Sequence, residues 1–210
     1  MRQLRPALIL FAGVLAAAGP KPAAAAELEL PIPSGYCALS EGNFTRLMTT
    51  SGDDFATANL NLRQLAVFAD CAKCPEWPAQ RNCSAGYGLY LENPNARQMA
   101  SLPRPAFLDR IEQTFGIAQP PRISETAAVL LPGQDVVNLG VLHRDQAATY
   151  IGYLHRDRSN HRAWVSVMGY TTVQGRFVAL KLGAPYEDEA TIQRLLKLQS
   201  ASLSRVVEAN

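Results

Sequence analysis

The sequence lacks the short motifs that identify common hydrolases and nucleotide-binding enzymes. It contains no Gly-x-Ser-x-Gly, no His-Glu-x-x-His and no glycine-rich phosphate loop. Covalent c-type haem is also excluded, because Pro75 stands where a histidine would have to follow the pair Cys71 and Cys74. We therefore assign no catalytic residue and no cofactor, and expect a protein that is not an enzyme.

A large excess of charge is absent as well. The chain has 20 basic and 18 acidic side chains. Three of the basic ones, Arg2, Arg5 and Lys21, precede the first acidic residue, Glu27, so residues 27–210 carry 17 basic against 18 acidic side chains. A nearly neutral chain is not generally attracted to nucleic acid or to anionic membranes. We expect no nucleic-acid partner.

Long apolar runs are scarce, and the one that stands out lies at residues 6–18. It is too short to span a membrane comfortably, it follows Arg2 and Arg5, and small residues, Ala24 and Ala26, come after it. These are the marks of a secretory signal peptide. An uncleaved membrane anchor is the alternative.

The export signal also lacks two special features. Arg2 and Arg5 are not adjacent, as a twin-arginine signal requires, and the first cysteine, Cys37, lies too far along for a lipoprotein. We expect cleavage after Ala26, a signal peptide over residues 1–26 and one α+β domain over residues 27–210. No membrane span is expected in the mature chain, and its predicted location is the periplasm of a Gram-negative bacterium.

Hydrophobic patterning predicts mostly strands in the second half of the chain. Trp164, Ser166, Met168 and Tyr170 alternate with Val165, Val167 and Gly169, which predicts a central strand covered on both faces. Short turns separate it from its neighbours, so we expect an antiparallel meander. Its four strands are predicted at Val136–Arg144, Ala148–Arg156, Arg162–Thr172 and Arg176–Gly183.

Helical periodicity appears twice. A stripe between Pro105 and Gly116 predicts one helix, and Asp188 is a suitable N-cap for a second helix that runs to the C-terminus. In the first half of the chain we expect an edge strand, a short helix and two further strands, respectively at Glu27–Leu39, Ser40–Thr50, Asn61–Cys71 and Tyr87–Glu92. The fold class is therefore α+β, an antiparallel sheet with helices against it.

The C-terminal run VMGYTTVQGRFVALKLGAPYEDEATIQRLLKLQSASLSRVVEAN reads as two strands, a tight turn and an aspartate-capped helix. In this it resembles the end of PsbP-like domains, named for an extrinsic protein of photosystem II. The resemblance implies an antiparallel sheet sandwiched between helices. It also implies an accessory, assembly or interaction role without a shared catalytic constellation, so no site residue is carried over.

The chain has only four cysteines, and two disulfides among them can be formed in three ways. They are Cys37, Cys71, Cys74 and Cys83. In an exported protein they favour structural disulfides. We favour Cys37–Cys71, which would join the first strand to the core, and Cys74–Cys83, which would close a short loop. A thiol-redox centre at Cys71-Ala72-Lys73-Cys74 and a four-cysteine zinc site are the alternatives.

The histidines indicate a surface feature. His155 and His161 flank a turn and form a charged hairpin tip that is suited to docking a partner. Two imidazoles make an incomplete metal set, so we expect no metal there. The possible binding tip consists of His155, Arg156, Asp157, Arg158 and His161.

These observations predict a non-enzymatic periplasmic accessory or binding protein. It would act through one face of the sheet or its loops on another protein or an envelope component, neither of which the sequence identifies. The alternative is a thiol-redox or metal-handling protein that uses the loop with Cys71, Cys74 and Cys83. A carrier of a small molecule or lipid, with a pocket between helix and sheet, is a third possibility.

Overall fold

The predicted meander is present in the computed structural model, which describes residues 28–40, 43, 61–74, 83–116, 136–156 and 163–210. The predicted signal peptide, most of the predicted helix Ser40–Thr50 and the tip residues Asp157, Arg158 and His161 lie outside the described residues, as does the side chain of Arg156.

The described residues form a seven-stranded antiparallel sheet and three helices, an α+β arrangement. The strands lie in the order β1-β2-β3-β7-β6-β5-β4. Strands β4 to β7 are the predicted meander, and β7 joins it to the N-terminal strands by pairing with β3. The elements, in chain order, are β1 (Tyr36–Ala38), β2 (Leu62–Asp70), β3 (Ala85–Leu91), α1 (Pro94–Ala100), α2 (Arg104–Phe115), β4 (Val136–Arg144), β5 (Thr149–Arg156), β6 (Ala163–Val173), β7 (Arg176–Pro185) and α3 (Glu189–Ala209).

The β6–β7 turn shows how the local sequence fixes the meander. Gln174 and Gly175 both have positive φ, of 51° and 69°, and Val173 pairs with Arg176 across the turn. A two-residue turn of this kind matches the twist of the two strands that it joins. It therefore sets the β6–β7 register.

Helix α3 covers one face of the sheet, which we call the first face. Asp188 caps the helix as predicted, since its carboxylate accepts a hydrogen bond from the Thr191 amide. The apolar stripe of the helix packs on alternate residues of β6 and β7. The buried members include Val165, Val167, Leu180, Leu182, Ile192, Leu195, Leu203 and Val206.

Helices α1 and α2 pack on the opposite face, the second face. Phe107 meets Phe177 with ring centroids 5.0 Å apart, and Phe115 stacks on Tyr170 at 5.2 Å. The Arg104 guanidinium donates to the Thr172 carbonyl at the end of β6. Both faces of β6 are thus buried, which confirms the prediction of a central strand covered on both sides.

Helix α1 corrects one expectation. The sequence prediction ends a strand at Glu92 and places no helix directly after it, whereas α1 begins at Pro94. The Asn93 side chain accepts from the Ala96 amide, and Pro94 lies in the first turn. Asparagine is a favoured N-cap and proline is favoured at the first helical position, so the residues that end the strand also begin the helix.

Within the described part of the chain, no helix is long and apolar enough to cross a membrane.

Candidate functional site

The most unusual feature of the second face is a group of buried polar side chains. We call His155, Ser166 and Lys181 the polar cluster. They lie on β5, β6 and β7, toward the strand ends opposite those that carry the contacts of Phe107 and Arg104. Their exposed fractions are 7%, 0% and 3%. Lysine is among the residues least often buried to this extent, because an ammonium group loses its hydration.

A direct hydrogen bond links two members of the cluster. His155 Nε2 and Ser166 Oγ are 2.8 Å apart, which is a good distance for such a bond. Their backbones are placed by strand register, because His155 pairs with Trp164 and Ser166 pairs with Tyr153. This pair resembles the serine hydroxyl and histidine base of a nucleophilic enzyme, but Ser166 is fully buried and the sequence contains none of the catalytic motifs considered above.

Lys181 is placed in the cluster by the pleat of β7. Its neighbours along the strand, Leu180 and Leu182, turn to the first face, so Lys181 turns to the second. Directly opposite it are Tyr87 on β3 and Met168 on β6. The cluster therefore stands among large side chains, in a setting where polar interactions are stronger than in water.

Aromatic residues border the cluster. Trp164 is half-buried and lies over Gly183, since its Nε1 occupies the space where a Cβ on Gly183 would stand. The backbone carbonyl of Gly183 accepts a hydrogen bond from the Ser84 hydroxyl at 2.8 Å, and that hydroxyl meets Tyr36 Oη at 2.5 Å. These two contacts tie β1 and the residue before β3 to β7, with Tyr36 packed in the core of the first face.

A second polar group lies on the first face, at the β4–β5 turn. Asp145 accepts hydrogen bonds from the amides of Ala147 and Ala148, from Tyr150 Oη and from Ser200 Oγ. Burial opposes ionisation of Asp145, but these donors outweigh it and hold the pKa of the carboxyl below its usual value. Burial, followed by the nearby carboxylate, raises the pKa of Tyr150. This group anchors α3 to the turn, and we assign it a structural role.

The four cysteines form the two bridges favoured from the sequence. Cys37 is bonded to Cys71 and Cys74 to Cys83, with Cα–Cα distances of 5.2 and 6.0 Å. Cys37 and Cys71 are exposed, whereas Cys74 and Cys83 are buried. The two cysteines of the Cys-x-x-Cys motif therefore belong to different bridges.

The described histidines do not lie together. His143 stacks on Tyr150 on the first face, with ring centroids 5.7 Å apart, while His155 lies on the second face. Within the described ranges, no group of three or more potential metal-ligating side chains is found. His155, predicted for an exposed hairpin tip, is instead a buried member of the polar cluster.

The sequence interpretation did not single out Ser166 or Lys181 as site residues. One signal could have found Lys181, because it is a lone charged residue in the run Val178–Gly183, which was predicted to form a strand. A charged residue in the middle of a strand that is apolar on both sides is rare unless the charge is paired. Ser166 gave no comparable signal, since serine is unremarkable in a strand.

Comparison of the chain with protein-family models, with curated proteins and with solved structures finds no match.

Proposed function

We propose that this is an exported periplasmic protein that catalyses no reaction and binds another protein or an envelope component. The signal-like residues 1–26 support export. The two disulfides support it as well, because such bonds persist in oxidising compartments. The PsbP-like character of the C-terminal run supports an accessory role.

The polar cluster is the observation that supports a binding function most. A fold needs only apolar packing at these positions, as the first face of the same strands has at Val165, Val167, Leu180 and Leu182. Burying His155, Ser166 and Lys181 instead is unfavourable for stability unless each group is well paired. Natural proteins depart from apolar patterning in the interior mostly at functional sites. We infer that the partner binds at this end of the second face, beside Trp164.

Affinity capture from an envelope extract tests this proposal. Trp164→Ala removes a half-buried aromatic group next to the cluster and leaves the cluster itself in place. Lys197→Ala is the matched control, because Lys197 is exposed on α3, which packs on the first face. We expect the wild type and Lys197→Ala to retain one specific partner and Trp164→Ala to lose it. Repeated absence of a partner with the wild type would contradict the proposal.

The alternative is a thiol-redox or metal-handling protein that uses Cys71, Cys74 and Cys83. One observation favours it: Cys71 is exposed and begins a turn in which the Asp70 carboxylate accepts from the amides of Ala72 and Lys73. Alkylation followed by mass spectrometry, with and without prior reduction, separates the two proposals. Four cysteines that resist alkylation until reduction support the binding protein. A freely alkylated Cys71–Cys74 pair supports the alternative.

A further inference from the structure

The chain from residue 28 to the end of β1 lies on the first face. We use the name strap for residues 28–38. Leu28 and Leu30 are buried, with exposed fractions of 4% and 8%, while Glu29 between them is exposed. Both leucines belong to the core cluster of the first face. The strap thus presents a Leu-x-Leu pattern to the sheet, with alternate side chains turned inward.

A notch in the sheet receives this pattern. A Cβ on Gly88 of β3 would lie 1.9 Å from Leu30 Cδ2, so Leu30 occupies the space that glycine leaves open. Phe68 and Tyr90 belong to the same cluster. The resulting groove, which we call the Gly88 groove, fits an extended peptide with leucine at alternate positions. The strap is its occupant in this structure.

The strap is also attached through the hydrogen bond between Tyr36 and Ser84 and through the bond from the Cys71 amide to the Gly35 carbonyl. Strand β1 has three residues, and Tyr36 packs edge-on against Phe68. The Cys37–Cys71 bridge then ties the end of the strap to the turn after β2. Docking the strap costs the conformational entropy of its backbone, so a covalent tie that limits the freedom of the undocked strap favours the docked state.

Only one of the two bridges is open to chemical attack. Thiol–disulfide exchange requires a thiolate to reach a sulfur, and the sulfur-bearing residues Cys37 and Cys71 are exposed. Cys74 and Cys83, with exposed fractions of 5% and 2%, are shielded. We therefore expect a small dithiol to reduce Cys37–Cys71 before Cys74–Cys83.

We propose that Cys37–Cys71 is a redox-controlled clasp, whose reduction releases the strap and opens the Gly88 groove to an extended Leu-x-Leu peptide. One thiolate of a dithiol attacks a sulfur of the bridge and forms a mixed disulfide, and the other cysteine leaves as a thiolate. The second thiol of the reagent then resolves the mixed disulfide. The protein gains two electrons and two protons as two thiols, and the dithiol becomes a disulfide.

Two preparations of the full chain test the clasp. The first is the native protein treated with a small dithiol until alkylation and mass spectrometry show Cys37 and Cys71 free and Cys74–Cys83 intact. The second is the double variant Cys37→Ser/Cys71→Ser. In both we expect hydrogen exchange of the strap amides to rise about 30-fold or more over the oxidised protein, the factor that corresponds to losing the constraint of one bridge. The reduced native protein keeps the test valid if the double variant fails to fold.

A labelled synthetic peptide with the sequence of residues 27–38, carrying serine in place of Cys37, tests the groove. We expect saturable binding to both open preparations and none to the oxidised protein. The same peptide with Leu28 and Leu30 replaced by serine is the matched control and should not bind. Strap amides that stay equally protected after reduction would overturn the clasp. Failure of the peptide to bind either open preparation, or equal binding of the control peptide, would overturn the groove.

Discussion

Replacing Gly88 with alanine tests the contact between the strap and the sheet. The new methyl group would lie 1.9 Å from Leu30 Cδ2, far inside the ordinary contact distance of about 3.5–4.0 Å. Relief requires the strap to shift, and overpacking of this kind lowers the free energy of unfolding by about 1–3 kcal/mol. Leu30→Ala removes most of the buried leucine and should lower it by about 2–5 kcal/mol.

The double variant Gly88→Ala/Leu30→Ala decides whether the two changes act on one contact. The alanine at position 88 then fills part of the space vacated by Leu30, so the double variant should be more stable than the sum of the single effects by about 1 kcal/mol or more. Urea unfolding under non-reducing conditions, followed by circular dichroism, gives all four stabilities. Additivity within about 0.5 kcal/mol would refute the packing of Leu30 over Gly88.

Substitutions at Asp145 and at Gln199 test the polar contacts that α3 makes with the sheet and the β4–β5 turn. Below the unfolded pKa of about 4, stability should fall as the carboxyl of Asp145 is protonated, because its folded pKa is depressed and the ionised form is the one that accepts from Tyr150. Asp145→Ala should lower the free energy of unfolding at pH 7 by about 2–3 kcal/mol and make it decline less steeply in acid. Unfolding curves measured over a series of pH values check this, and a decline as steep as that of the wild type would contradict it. The Gln199 amide donates to the carbonyls of Val167 and Leu180, while its Oε1 has no hydrogen-bond partner among the described residues. Gln199→Glu should therefore lower the free energy of unfolding at pH 7 by about 3 kcal/mol or more, and part of this stability should return as the pH falls and the new carboxyl is protonated. Gln199→Met should stay within about 1.5 kcal/mol of the wild type. Thermal unfolding of the two variants at pH 7 and in acid is the check, and equal losses of stability would contradict the account of a buried amide that must stay uncharged.

The parts of the fold that local sequence determines were the ones predicted. The meander follows from alternating strands joined by short turns, and α3 follows from Asp188 and an apolar stripe that includes Ile192 and Leu195. These signals act over a few residues, so they survive in any global arrangement. The disulfide pairing followed the same logic, since each favoured bridge stabilises a segment with little core of its own.

The parts that depend on distant contacts were not predicted. Pairing of β3 with β7 joins residues about 90 positions apart, and no local pattern encodes it. The packing of Leu30 depends on Gly88, whose missing side chain leaves space only once β3 is in place. The polar cluster is of the same kind, because His155, Ser166 and Lys181 come together through the register of three strands.

Site-specific photo-crosslinking in intact cells tests the central claim most directly. A photoreactive phenylalanine analogue at Trp164 stands beside the polar cluster, and the same analogue at Lys197 stands on α3 over the first face. We expect one crosslinked partner from position 164, identified by mass spectrometry, and none from position 197. No product from position 164, or the same products from both positions, would contradict binding at this end of the second face.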